Sequence, residues 1–106
     1  MASLSTHVLD TQSGRPAIGL RVALHRLDRD RAVAVVERET DGDGRIRDLG
    51  AELEPGTYRL TFDVGRYFGA ARGLFAAVSL DVVLETGHHH VPLLVSPFAF
   101  VSYRGS

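Results

Sequence analysis

Apolar and polar residues along this chain alternate in short runs of period two, the spacing of strands that bury one face. Leu4 to Leu9 reads Leu-Ser-Thr-His-Val-Leu and is stopped by Asp10-Thr-Gln-Ser-Gly14, a cluster suited to a turn. From Leu20 to Leu27, the residues Leu20, Val22 and Leu24, with Arg26 at the end, share one face; Arg21, Ala23, His25 and Leu27 share the other. The charged run Asp28 to Arg31 leads into Ala32 to Thr40, whose β-branched content predicts the second arm of a hairpin. Asp41-Gly-Asp-Gly44 is a tight turn, because its glycines accept positive φ and its aspartates bond nearby amides, and it holds Arg45 just beyond it. After a second turn at Glu54-Pro-Gly56 comes the cleanest alternation, with Tyr58, Leu60, Phe62 and Val64 set against Thr57, Arg59, Thr61 and Asp63.

Gly65 to Gly73 is the only helical candidate, two turns at most. Leu74 to Leu84 resumes the extended pattern, Thr86-Gly87 turns, and His88 to Val95 is a strand broken at Pro92, which implies an edge position or a locally missing ladder bond. Ser96-Pro97 then turns the chain into Phe98 to Tyr103. Seven or eight short strands separated by turns, without repeat or linker, make an all-β class and a β-sandwich in one domain, residues 1–106.

Composition narrows the partners more than the fold. At 106 residues the chain can bury one core and gains from association with copies of itself. Twelve basic residues, all arginine and scattered, face thirteen acidic ones, so no field favours nucleic acid. Cysteine is absent, which excludes disulfides, thiolate metal sites and a cysteine nucleophile. The first residues carry no basic leader, and no apolar stretch is long enough to span a bilayer; a cytoplasmic location is expected and no membrane partner.

Three of the five histidines are consecutive, His88-His89-His90, beside His7 and His25. On a strand His88 and His90 point to one face and His89 to the other, so a four-ligand metal site would need at least two donors from elsewhere. Asp41-Gly-Asp-Gly44 resembles part of a calcium loop, but the ligands that should follow do not fit. Neither reading yields a metal. The carboxyl end is the odd feature, because an aromatic-rich strand runs straight into Tyr103-Arg104-Gly105-Ser106 and brings a phenol, a guanidinium, a hydroxyl and a terminal carboxylate together.

Four separated segments then resemble one family. They are Leu4 to Asp10 with Gly14 and Pro16-Ala17, Thr40 to Arg45 ending Asp-Gly-Arg, His88 to Pro97, and the terminal Tyr-Arg-Gly-Ser. These are similar to the 5-hydroxyisourate hydrolases of the transthyretin-like family. The resemblance implies a transthyretin-like eight-stranded β-sandwich with a short helix after the fifth strand. It also implies a homotetramer, a dimer of dimers with active sites at the dimer-dimer interface. The implied activity is hydrolysis of 5-hydroxyisourate to 2-oxo-4-hydroxy-4-carboxy-5-ureidoimidazoline in urate degradation, without metal or cofactor. By motif, His7, Arg45 and His90 correspond to the family's catalytic residues, and Tyr103, Arg104, Gly105 and Ser106 to its substrate-binding end. His89 stands where the family usually has tyrosine, and should point away from the site. Opening a ring amide needs an activated water, a partner for the oxyanion and a proton for the departing nitrogen, which two histidines and an arginine supply. Which histidine is the base stays open. A transthyretin-like carrier of small ligands, without catalysis, is the alternative.

Overall fold

The computed structural model describes residues 1–69 and 73–106. Among the described residues ten strands and one helix follow in order: β1 (Ala2–Asp10), β2 (Arg15–Pro16), β3 (Arg21–Asp28), β4 (Arg31–Glu39), β5 (Arg45–Leu53), β6 (Gly56–Phe62), α1 (Val64–Phe68), β7 (Val78–Leu84), β8 (Gly87–His90), β9 (Leu93–Val95) and β10 (Phe100–Ser102). β8 and β9 are the single expected strand broken at Val91-Pro92, and β2 is a two-residue bridge. Counted that way, the sandwich has eight strands with the helix after the fifth.

One sheet runs β4-β3-β6-β7, and the other is built around β1. Along one edge β1 pairs antiparallel with β5 and then β2; along the other it pairs parallel with β8 and then β9, which carries β10. Between the sheets lies one core, in which Leu4, Val8, Val22, Leu24, Leu60, Phe62, Leu93 and Val95 are wholly buried. The alternation of β6 is kept, with Tyr58, Leu60 and Phe62 inward. The apolar run of β4 is different, because Val33 and Val35 on this edge strand are 46% and 41% exposed, and only Val36 packs on the core.

The segment between the two turns shows no alternation in sequence, yet it forms the nine-residue β5. Its buried residues are Ile46, Leu49 and Leu53, spaced three and four apart. The register explains this: Thr6 faces Ile46, Leu4 faces Gly50 and Ala2 faces Leu53, so β5 holds extra residues at two bulges. A bulged strand loses the period by which strands are read.

Buried polar groups fasten the turns. Thr40, 4% exposed, donates its hydroxyl to the Ala17 carbonyl at 2.6 Å and accepts the Leu20 amide at 2.9 Å. Asp10, 6% exposed, accepts the amides of Gln12 and Ser13 and, at 3.0 Å, the phenol of Tyr67 from α1. Burial, together with the Asp10 carboxylate, pushes the Tyr67 phenol up to about 12. Replacing Thr40 by the near-isosteric valine strands a buried carbonyl and a buried amide. Thr40→Val is therefore expected to cost about 1–3 kcal/mol, read as a lower denaturation midpoint at unchanged m-value.

Candidate active site

The alternation of β1 sends Leu4, Thr6, Val8 and Asp10 inward and Ser3, Ser5, His7 and Leu9 to the outer face of its sheet. Opposite partners in a ladder share a face, so the register assembles the site. His7 lies across from Arg45 on β5, Ser5 from His90 on β8, and Ser3 from His88. Three segments far apart in sequence thus place two imidazoles and a guanidinium on one patch.

The Asp41 to Gly44 turn fixes the His7 and Arg45 side. Asp41 Oδ1 accepts the amides of Asp43 and Arg45, each at 2.9 Å, and these bonds hold the Asp41 carboxyl below the usual carboxylate range. Gly44 has a φ of 74°, and a Cβ there would stand 2.6 Å from the Val8 carbonyl, so only glycine lets the turn press on β1. The turn also presents the Asp43 carbonyl to His7 Nε2 at 2.9 Å. A carbonyl only accepts, so Nε2 carries a proton, and in the neutral ring the lone pair lies on Nδ1.

His90 is held from the other side. Its Nδ1 is 2.8 Å from the Ser5 hydroxyl, which is also 2.9 Å from His88 Nε2; His88 Nδ1 in turn is 2.7 Å from the Ser3 hydroxyl. Burial depresses the His90 pKa below its ordinary 6.5, and the nearby Arg45, His7 and His88 depress it further, against an opposing bond to Ser5. At neutral pH this imidazole is uncharged and free to accept a proton.

The chain end closes the patch. Ser102 faces Leu93 and Gly105 faces His90, so the last residues continue the β10 register across the Pro92 break, with the Gly105 amide donating to the His90 carbonyl at 2.8 Å. A Cβ on Gly105 would lie 2.6 Å from His90 Cδ2, so a side chain there would displace the imidazole. A cleft of about 280 Å³ is lined by His7, Arg45, His90, Tyr103, Gly105 and Ser106, and its apolar wall includes Leu9, Pro92 and Leu94. A neighbouring hollow of about 270 Å³ shares Arg45, His90 and Ser106 with it and adds Ser5 and His88.

Of the residues singled out in sequence, six line this one cleft. Arg104 lines another cavity, of about 410 Å³, bounded by β7 and His89 and sharing His90 and Tyr103 with the cleft. His89 Nε2 donates to the Glu85 carbonyl at 2.8 Å, away from the patch. Sequence reasoning passed over Ser5, which bonds His90, and over His88 and Ser3 beyond it, although the period of β1 was signal enough to place Ser5 beside His7. It also passed over the Asp43 carbonyl, which no residue type reveals. Among the described residues, no group of three or more His, Cys, Asp or Glu is placed to hold a metal ion. Chemically, the patch offers a neutral imidazole as base, a second imidazole of fixed tautomer, and a cation for a developing anion.

Known proteins share this arrangement of strands. The family model described as HIUase/Transthyretin family matches residues 4–105. The 5-hydroxyisourate hydrolase of Deinococcus radiodurans is 44% identical, over 97% of this chain and 95% of that protein. The structure of Klebsiella pneumoniae 5-hydroxyisourate hydrolase superposes with a TM-score of 0.88 at 36% identity, covering 98% of this chain and 99% of that one. Sea bream transthyretin in complex with thyroxine superposes with a TM-score of 0.89 at 24% identity, covering 96% and 93%, a likeness of fold alone.

The His90 environment can be checked without any ligand. An NMR titration should give His90 a pKa below 6.5, the ordinary value. Arg45→Met removes a cation that disfavours imidazolium, so the His90 pKa should rise in that variant; an unmoved or lower value would contradict the placement of Arg45.

Proposed function

The chain belongs to the HIUase/transthyretin family, and we propose that this protein is a 5-hydroxyisourate hydrolase whose active site is the cleft between β1, β5, β8 and the Tyr103 to Ser106 segment. The observation that carries the reading is the convergence of His7, Arg45 and His90 on one cleft walled by Tyr103, Gly105 and Ser106. The relatives named 5-hydroxyisourate hydrolase, which align over nearly the whole chain, support it.

In this reading His90, kept neutral by its surroundings, takes a proton from water as the water oxygen attacks the ring carbonyl. Arg45 holds the anionic ring and the oxygen on which charge develops. The carbon-nitrogen bond then breaks, and the departing nitrogen receives the proton that the imidazole took from water, leaving a carboxylate. His7, with Nε2 tied to the Asp43 carbonyl, faces the same cleft as the second proton-handling group. Tyr103 and Ser106 contribute hydroxyls to the substrate, and Gly105 lets the chain end approach His90. No step calls for a metal or cofactor.

A transthyretin-like carrier would bind in a cleft of the same fold without turnover. Two proton-handling imidazoles beside an arginine suit a reaction better than storage of a ligand. For the assembly we propose a dimer of dimers, supported by the exposure of Leu74, Val83, Phe98 and Val101, at 72%, 70%, 69% and 59%.

Freshly generated 5-hydroxyisourate should disappear faster than its spontaneous decay when this protein is added. His7→Ala, Arg45→Met and His90→Ala should each lower kcat/KM about 10²-fold or more, and full activity in any one of them would remove that residue from the mechanism. Deleting Tyr103 to Ser106 should abolish turnover while the remaining chain still folds. Light scattering should give four times the 11.5 kDa chain mass, and a monomer would refute the assembly.

A further inference from the structure

Ser5 has one hydroxyl hydrogen and two imidazole neighbours. Its oxygen, on a residue 8% exposed, lies 2.9 Å from His88 Nε2 and 2.8 Å from His90 Nδ1. One hydroxyl hydrogen serves only one acceptor, so at least one of those two ring nitrogens is protonated and donates to Ser5. Ser3 extends the series, bonding His88 Nδ1 at 2.7 Å. The four groups form a continuous chain, Ser3, His88, Ser5, His90, running from the exposed edge of β8 to the cleft.

With all rings neutral, this chain has two consistent settings. In one, Ser3 donates to His88 Nδ1, His88 Nε2 donates to Ser5, Ser5 donates to His90 Nδ1, and His90 carries its hydrogen on Nε2. In the other every bond is reversed: His90 Nδ1 donates to Ser5, Ser5 to His88 Nε2, and His88 Nδ1 to Ser3, which leaves His90 Nε2 with a lone pair. The first setting makes the cleft-side nitrogen an acid and the second makes it a base.

We infer that Ser5 and His88 are positioning residues that relay protons between His90 and solvent, one outward as His90 Nε2 takes a proton from water and one back inward as Nε2 gives it to the departing nitrogen, which returns His90 to its base setting. The inference rests on the proposed hydrolysis. The balance is one proton in and one out. As Nε2 of His90 gains a proton from water in the cleft, Nδ1 passes its own to Ser5 oxygen, Ser5 passes one to His88 Nε2, and His88 Nδ1 passes one through Ser3 to solvent. No ring keeps a charge, which matters because Arg45 from β5 and His7 from β1 face His90 and oppose an imidazolium there. His88 is exposed, so the far end of the chain meets water, whereas the chain end, with Tyr103, Gly105 and Ser106, walls His90 on its other side.

The relay is separable from a merely structural role. In substrate-free protein, the ¹⁵N shifts of the His90 ring should report a mixture of the two tautomers in the native chain and a shifted balance in Ser5→Ala. Identical His90 spectra in the two proteins would overturn the inference, and this arm holds whether or not 5-hydroxyisourate is the substrate. In turnover of 5-hydroxyisourate, Ser5→Ala and His88→Ala should lower kcat about tenfold or more with KM within about twofold. His88→Gln, which can hydrogen-bond Ser5 but cannot pass a proton, should stay as slow as His88→Ala, and added imidazole should restore part of the His88→Ala rate. Recovery of full kcat by glutamine would reduce His88 to an orienting group and sink the relay. Thermal unfolding of each variant guards against misfolding, and the exposed His88 is the safer substitution should Ser5→Ala unfold. Absence of turnover in the native protein would refute the hydrolase reading and leave the NMR arm to decide the chain of bonds.

Discussion

Everything in the site hangs on the two-residue period of β1. One strand, paired along both edges, sends its even-numbered residues into the core and its odd-numbered residues to the outer face. The inward side chains are wholly or almost wholly buried, so slipping the strand by one residue would drive Ser5 and His7 into the core and expose Leu4 and Val8. The burial that holds the sandwich together therefore also fixes which way the reactive groups face. Fold stability and site geometry are here one constraint.

A second layer of control is electrostatic. Burial lowers the His90 pKa most, and Arg45, the cation of the patch, lowers it further. The turn that delivers it is itself braced by a carboxylate, Asp41, whose bonds go to backbone amides rather than to the arginine side chain. The guanidinium is thus left for the cleft.

Much of this was legible in the amino-acid order, and the exceptions have physical causes. The clean alternation around Leu60 and the turn at Asp41 to Gly44 read directly, because each is a local property of a few residues. The break at Pro92 was equally plain, since proline cannot donate to a ladder. β5 was hidden because its bulges spread the buried residues to helical spacing. Arg104 sits among three residues that line the cleft yet itself lines the adjoining cavity, which shares His90 and Tyr103 with it, a division that no residue type announces. Ser5 and His88 were overlooked because their importance lies in a shared hydrogen, a relation between strands more than eighty residues apart that no local pattern encodes.

The bulges of β5 bear on how this chain can change length. Both lie between Ile46 and Leu53, beyond the pair formed by His7 and Arg45 and farther from the Asp41 turn. Losing a residue there flattens a bulge into regular ladder, and gaining one enlarges it, while His7 and Arg45 stay face to face. The same deletion inside Asp41 to Gly44 would drag Arg45 off its partner. The strand thus carries slack at one end and a fixed anchor at the other, which makes its distal half the place where insertions and deletions can accumulate without loss of the cleft.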